Sequence, residues 1–366
     1  MNILLIEYQY KEHFDDFRFK NFSYGLENIK NHCQNNNIKI KTQYQNNKFL
    51  ENFIPEIIGI SLKFNILYIK EILEYILLIK NKFPKSIIVA GGYGAFIKKK
   101  ELIHYLDAIC LGEGEIPFCE LINSENKKEY LEKTPYWYIN KEDFSFYIND
   151  NLDQFKPLQI KREMLPITIT RGCTNNCVYC VSYLYKEKKF IFPSLRKVLS
   201  DFNFYIKNGI KKFMICDDMP FLNREYWIEI LKFLLKNNCK IDILHMHFTL
   251  LDKEIIALLS KLYYDKILAL YPDAVTEKSM NMTGKNGTFN KLSEVINIAH
   301  YHKLKVRCTA LVGYPWDTVE DIKNAKKLFK NMGVDDLKLR RLLIYEGSQL
   351  HNEGYKSLPN FTRDFL

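Results

Sequence analysis

The chain has no apolar run long enough to cross a bilayer, and its N-terminus lacks the basic-then-apolar pattern of a signal peptide. Met1-Asn-Ile-Leu-Leu-Ile-Glu7 is too short for either and has the composition of a buried strand. These absences predict a cytoplasmic protein with no membrane partner. A disulfide framework is not expected either: the nine cysteines, three of them on one short loop, suit a reducing compartment. Long basic runs are also missing. The net charge is +10, yet Lys98-Lys-Lys100 and Lys186-Glu-Lys-Lys189 are short and far apart, the pattern of solvated faces rather than of a phosphate track. Lys, Asn, Ile, Tyr and Phe are abundant, as an AT-rich coding sequence would impose whatever the function. No nucleic-acid partner is expected; the charge remains compatible with weak attraction to an acidic partner such as a peptide leader.

At 366 residues and 47% apolar composition the chain is long enough for two cores. Asn2 to Glu7, Ile38 to Gln43, Ile57 to Leu62, Ser86 to Gly92 and Asp107 to Glu115 read as strands, with a helix over Ile66 to Lys82 and another opening at Ile116. The nearly continuous apolar character of Ile57-Ile-Gly-Ile-Ser-Leu62 is that of a parallel strand covered on both faces. Strand–helix alternation resumes at Met164. Strands are expected at Lys212 to Asp218, Ile241 to Phe248, Ile267 to Tyr271, Val306 to Gly313 and Leu337 to Ile344, and helices at Leu195 to Asn208, Arg224 to Lys236 and Lys253 to Leu262. The fold class is therefore α/β. A doubly wound, Rossmann-like parallel sheet is expected over residues 1–122 and a linker over 123–163. A partial (β/α)6 TIM-type barrel follows over 164–345, then a short C-terminal tail over 346–366.

Ile169-Thr-Arg-Gly-Cys-Thr-Asn-Asn-Cys-Val-Tyr-Cys180 places Cys173, Cys177 and Cys180 in a C-x3-C-x2-C spacing, just after the apolar stretch Leu165 to Thr170. Three thiolates on one loop suit three corners of an iron–sulfur cube and leave the fourth iron open to a small molecule. A zinc site would want a fourth ligand close by, but the next cysteine is Cys216 and the next histidine His245. The alternatives are a zinc knuckle short of one ligand, or three unrelated buried cysteines.

This loop closely resembles the cluster loop of the radical S-adenosylmethionine (SAM) enzymes, with Tyr179 as the aromatic usually found just before the third cysteine. The resemblance implies a [4Fe-4S] cluster whose open iron chelates the amino and carboxylate groups of SAM. It also implies reductive cleavage of SAM to a 5′-deoxyadenosyl radical, with Tyr179 beside the adenine and a flavodoxin or ferredoxin as electron donor. Residues 1–122 resemble the cobalamin-binding domain that precedes many such cores, on the strength of Pro55-Glu-Ile-Ile-Gly-Ile-Ser61, Val89-Ala-Gly-Gly92 and Leu111-Gly-Glu-Gly-Glu115. A corrinoid is then expected across the carboxyl ends of the strands, near Leu62, Gly91, Gly92 and Gly112. Paired glycines let backbone approach a bulky ligand, or simply turn the chain tightly. The Asp-x-His-x-x-Gly lower-ligand motif of many cobalamin proteins is missing after the first strand, and His13 reads as a surface histidine.

Other cofactor contacts follow from the same resemblance. Asp217 and Asp218 end the strand after the cluster loop, where a carboxylate suits the ammonium or ribose hydroxyls of SAM; Asp217 is favoured, and the alternative is a helix cap. Leu311-Val-Gly-Tyr-Pro-Trp-Asp-Thr318 resembles the fifth-strand element, which puts Val312 and Gly313 along the adenine and leaves Asp317 and Thr318 as caps. Asp273 stands where a Gly-x-Glu-Ser element is common. Lys338 and Arg340 share a strand face that suits the SAM carboxylate or solvent, and Cys308 suits either a hydrogen-atom donor or a small core residue.

The leading expectation is cobalamin-dependent methylation of an unactivated carbon in a small molecule or peptide. The short tail after Tyr345-Glu-Gly-Ser-Gln-Leu350 favours an open site. The alternatives are cobalamin-independent rearrangement, epimerisation or cross-linking over a vestigial first domain, and a non-catalytic iron–sulfur carrier or sensor.

Overall fold

The structure is a computed structural model, and it describes residues 1–8, 22–34, 37–44, 53–62, 69–182 and 189–357. The chain divides into two compact units, Met1–Ile160 and Lys161–Leu366.

The first unit is built on one sheet. Its strands are β1 (Asn2–Glu7), β2 (Lys39–Gln43), β3 (Ile57–Ser61), β4 (Ile87–Gly91), β5 (Ala108–Cys110) and β6 (Trp137–Tyr138), in the spatial order β2-β1-β3-β4-β5-β6. The first five run parallel, and β6 closes one edge antiparallel to β5. Ile3, Leu4, Leu5 and Ile6 are all at most 1% exposed, so both faces of β1 are covered, and an unbroken apolar run replaces the alternation of a one-sided strand. On one face Ile3, Leu5, Ile57 and Val89 pack with Leu26 of the helix Tyr24–Cys33 and with Phe118 and Leu121 of the helix Glu115–Asn123. The order β2-β1-β3-β4-β5 reverses its direction of growth between β1 and β3. In open α/β sheets the ligand crevice lies at that reversal, outside the carboxyl ends of the strands.

Residues 127–138 supply the helix Lys127–Lys133 and the strand β6, and Leu131 and Trp137 join the same core. Tyr147 then bridges to Gly112 through the backbone.

Among the described residues the second unit has six parallel strands in two sheets. β7 (Met164–Ile167), β10 (Lys212–Ile215) and β11 (Lys240–Ile243) form one, in the order β11-β10-β7. The other comprises β12 (Ile267–Leu270), β13 (Lys305–Val312) and β14 (Asp336–Arg341), in that order. A single parallel bridge, Ile241 to Tyr263, lies between the last strand of the first sheet and the first of the second. The hairpin of β8 (Arg171–Gly172) and β9 (Phe190–Ile191) stands apart.

Helices begin where their first residues allow. Ser194, Asn223, Asp252, Thr276, Thr288 and Thr318 each accept an amide N–H of the turn that follows them. The expected helices Arg224–Lys236 and Lys253–Leu262 are found with those bounds. The strand expected from Ile241 to Phe248 stops at Ile243 and gives way to a short 3-10 turn at Phe248–Leu250. Along β13, Val306, Cys308, Ala310 and Val312 are buried. Cys308 is thus one of a file of small core residues, and burial pushes its thiol up to about 12.

Candidate active site at the three-cysteine loop

The segment that delivers the cysteines is fixed before it reaches them. Ile169 N–H and Thr170 N–H donate to the two carboxylate oxygens of Asp217, at 2.8 and 2.6 Å, and the Thr170 hydroxyl donates to the second of these. Asp217 is fully buried. Burial pushes its carboxyl up to about 7, against the pull of its three donors. Where a contact with SAM was expected, both oxygens of Asp217 accept from the chain itself, in the segment between β7 and β8 that leads to the loop. Asp217→Asn should therefore leave one of the two amides facing an NH2 group. An unsatisfied buried donor costs about 1–3 kcal/mol, so chemical denaturation should show a lower midpoint with an unchanged slope.

At Gly172 the backbone has φ +99°, and a Cβ would lie 1.9 Å from the Lys189 carbonyl oxygen, so the β8–β9 pairing requires glycine. The cysteines follow. Cys180 N–H donates to Cys177 O at 2.9 Å, closing a turn. Val178 N–H donates to Thr283 O at 2.9 Å, and Leu350 N–H to Val178 O at 3.1 Å. The loop is thereby clasped between the turn after the helix Glu277–Met282 and the start of the helix Gln349–Asn352.

Cys177 is buried, and burial pushes its thiol up to about 12; Cys173 and Cys180 are partly exposed. Cys173 Sγ lies 3.7 Å from Met219 Sδ, and Cys180 Sγ accepts Ser182 N–H at 3.3 Å. Among the described residues no three His, Cys, Asp or Glu side chains are grouped for one metal ion. Three cysteines on one loop suit three corners of an iron–sulfur cube, each thiolate on its own iron.

Tyr179 is held by a network behind the loop. Its hydroxyl donates to Asp273 Oδ2 at 2.8 Å. Lys285 pairs with the same oxygen and also donates to the Tyr271 carbonyl. Tyr314 donates to Asp273 O at 2.9 Å, meets the Tyr179 ring edge-on at 6.1 Å and stacks on Trp316. Burial, with Asp273 alongside, holds the Tyr179 phenol well above its ordinary range.

Residues 167–329 match the profile of the Radical SAM superfamily. The second unit carries a radical SAM domain. Iron–sulfur and SAM chemistry are the business of that superfamily, and the match begins at Ile167, just ahead of the cysteine loop.

Other proteins resemble larger parts of the chain. It is 21% identical over 293 residues to the hopanoid C-3 methylase of Methylococcus capsulatus, a stretch that is 73% of this chain and 55% of that protein. The structure of the radical SAM methyltransferase TsrM from Kitasatospora setae, with tryptophan substrate and a SAM analogue bound, superposes with a TM-score of 0.76 at 14% identity, covering 96% of this chain and 75% of TsrM. The cobalamin-dependent SAM radical enzyme OxsB with aqua-cobalamin bound gives a TM-score of 0.70 at 15% identity, covering 89% of this chain and 51% of OxsB. At such identities the likeness establishes the fold. The chain spans about half the length of the hopanoid methylase.

Around the radical SAM loop the remaining expected residues are distributed unevenly. Asp218 is exposed, one residue beyond the buried Asp217. His245 is exposed and sits edge-on to Tyr271 at 5.3 Å. Asp218, His245, Tyr271 and Asp273 thus follow β10, β11 and β12 at their carboxyl ends, where parallel α/β architectures place their sites. His245 and Lys285 were not among the expected site residues. The run Thr283-Gly-Lys-Asn-Gly287 carried a signal for Lys285, a lysine between two glycines.

Val312 is fully buried. The N–H groups of Gly313 and Tyr314 both donate to Asp317 Oδ2, at 2.9 and 3.1 Å, while Asp317 Oδ1 accepts from Ser279. Asp317 therefore organises the turn itself, and Thr318 caps the helix Val319–Asn331. Lys338 and Arg340 are exposed on β14, with Lys338 3.3 Å from Asp336.

In the first unit the expected corrinoid contacts are largely engaged with their own chain. Leu62 is 1% exposed. A Cβ on Gly92, at φ +89°, would lie 2.6 Å from Leu62 O, and one on Gly112, at φ +108°, would lie 2.1 Å from Tyr147 O. Both glycines are required by close approach of backbone to backbone. Gly91 and Gly92 remain half-buried. Residues 9–21 and 63–68, which follow β1 and β3, lie outside the described residues, and His13 with them.

Proposed function

We propose that this chain is a cytoplasmic radical SAM methyltransferase that methylates an unactivated carbon of a small molecule or peptide and depends on cobalamin. The observation that carries the reading is the presence in one chain of a clasped three-cysteine loop and a β2-β1-β3-β4-β5 parallel sheet with a switch point between β1 and β3. The names of the hopanoid methylase, TsrM and OxsB support the same combination of methyl transfer, SAM and cobalamin. No helix among the described residues is long and apolar enough to cross a membrane.

In this reading the two three-stranded sheets act together as a partial (β/α)6 barrel with its site at the carboxyl ends. Cys173, Cys177 and Cys180 hold three irons of the cluster. When bound, the cluster supplies one electron to the sulfonium of SAM and the corrinoid supplies the methyl group. The exposed Asp218 takes the role first expected of Asp217, accepting from the ammonium or ribose hydroxyls of SAM. The turn at Gly313, fixed by Asp317, lies along the adenine, and Arg340 is a cation for the SAM carboxylate. Asp273 and Lys285 keep Tyr179, and with it the spacing of Cys177 and Cys180, from shifting. A flavodoxin or ferredoxin is the expected class of reductant.

A second reading keeps the radical chemistry on a vestigial first unit. It is favoured by the enclosure of Leu62, Gly92 and Gly112 by the chain's own backbone. Anaerobic reconstitution with iron, sulfide, SAM and hydroxocobalamin separates the readings. The expected outcome is 5′-deoxyadenosine formation and a corrinoid that stays with the protein through gel filtration. Deoxyadenosine without retained corrinoid would establish the second reading, and absence of both SAM binding and cleavage would leave an iron–sulfur carrier or sensor.

A further inference from the structure

The turn after β10 meets the cysteine loop twice. Asp217 takes the Ile169 and Thr170 amides. Two residues on, Met219 meets the loop again, with its Sδ 3.7 Å from Cys173 Sγ and 3.6 Å from the Thr174 hydroxyl, which donates to it. Met219 is 5% exposed, so the thioether is enclosed. Its place is also fixed from the other side. Phe221 has φ +71°, a left-handed backbone that bulky residues avoid, and its ring is fully buried against Trp227 at 5.3 Å. Backbone strain of this kind persists only where the surroundings over-determine it, and it collects at functional sites. One side chain of a fixed turn is thus set against the first cysteine of the loop.

We propose that Met219 is a positioning residue for the iron–sulfur cluster: it covers the Cys173 thiolate with a group that has no proton to donate, and so holds the reduction potential of the cluster down. The inference rests on the cluster being held by Cys173, Cys177 and Cys180.

The chemistry lies in what a thioether lacks. Methionine sulfur is a weak acceptor and never a donor. In the metal-free chain the Cys173 thiol supplies the proton between the two sulfurs. Once that thiol binds iron the proton is gone, and thiolate and thioether face each other with no hydrogen bond between them. Hydrogen bonds to the sulfurs and exposure to solvent are among the levers that set the potential of an iron–sulfur cluster. A donor steadies the added negative charge of the reduced state and raises the potential, and a donor-free neighbour withholds that help. The same Met219 sulfur occupies the hydroxyl of Thr174, the side-chain donor next in the chain to Cys173. Cys173 itself is partly exposed, so this cover is one-sided. Giving an electron to a sulfonium needs a strongly reducing cluster, which surroundings poor in donors favour.

The test is an anaerobic redox titration of the cluster-reconstituted full chain, read by electron paramagnetic resonance of the reduced cluster. The same samples exchanged into D2O report deuterons coupled to it. Met219→Gln is close in size and puts amide N–H groups where the thioether was, whereas Met219→Leu is close in size and adds no donor. With Met219→Gln the reduced-to-oxidised ratio at a fixed potential should rise about tenfold, which is about 59 mV for a one-electron couple, and a new exchangeable deuteron coupling should appear. With Met219→Leu both readouts should stay at their wild-type values. Where glutamine prevents iron loading, Met219→Ala takes its place: it opens the space to water, with the same direction of shift and the same new coupling. Chains with Met219→Gln or Met219→Ala that carry four irons yet keep the wild-type potential would overturn the proposal, as would a Met219→Leu shift as large as that of glutamine. A wild-type chain that assembles no four-iron cluster would instead overturn the reading on which the proposal rests, and the iron assay tells the two failures apart.

Discussion

Replacing any one of Cys173, Cys177 and Cys180 by alanine should prevent assembly of the four-iron cluster and reduce SAM cleavage to the level seen without protein. The geometry leaves little room for substitution of one ligand by another. Val178 is bonded on both sides, to Thr283 and Leu350, and Gly284 packs so closely under the loop that a Cβ there would come within 2.8 Å of Asn176 O. A loop clasped in this way cannot slide a neighbouring group into the vacated position. Iron and acid-labile sulfide assayed after anaerobic reconstitution should fall together with 5′-deoxyadenosine. The thermal midpoint of the metal-free protein should hold for Cys173→Ala and Cys180→Ala, whose side chains are only partly buried. Four irons with an unaltered spectrum in the triple alanine variant would remove the cluster from this loop altogether.

What was legible in the chain was what local chemistry decides. The cysteine spacing is complete within eight residues, and the helices Arg224–Lys236 and Lys253–Leu262 carry their apolar periodicity within their own residues. The buried parallel strand β3 is visible in its unbroken apolar run. What escaped depends on contacts between distant segments. Asp217 reads as a ligand-facing carboxylate at a strand end, because nothing nearby in sequence reveals that Ile169 and Thr170 will fold against it. Two glycines after a strand suggest space for a ligand, yet Gly92 lacks its side chain because Leu62 O fills that space. A bulky residue at Gly92 would therefore disturb the sheet before it touched a corrinoid. That makes it a poor probe, and direct measurement of corrinoid retention the better one. The short strand β6 has too few residues for a period to register, and only its pairing with β5 reveals it.

Lys285→Met should cost the second unit about 3–5 kcal/mol, the penalty of leaving a buried ion pair with one partner. Lys285 is 7% exposed, and its ammonium is shared between Asp273 and the Tyr271 carbonyl. Removing it would leave the Asp273 carboxylate, whose side chain is 14% exposed, with the neutral Tyr179 hydroxyl as donor and without the charge that compensates it. For a unit of this size the loss corresponds to roughly 6–20 °C in the thermal midpoint. The residual exposure of Asp273 favours the lower half of that range, because water can reach part of the uncompensated charge. The effect should also reach the cluster. Tyr179 stands between Cys177 and Cys180 in the chain and is anchored through Asp273, so a carboxylate free to turn toward solvent would release the tyrosine and loosen both thiols. Iron loading under limiting iron should fall with the midpoint. Asp273→Asn combined with Lys285→Met should recover most of the stability, since neither charge is then buried alone, and a double-mutant cycle would read that coupling directly. A Lys285→Met protein that melts with the wild type and loads iron equally well would mean that the pair sits loosely in water and that Tyr179 is held by the Tyr314–Trp316 packing instead.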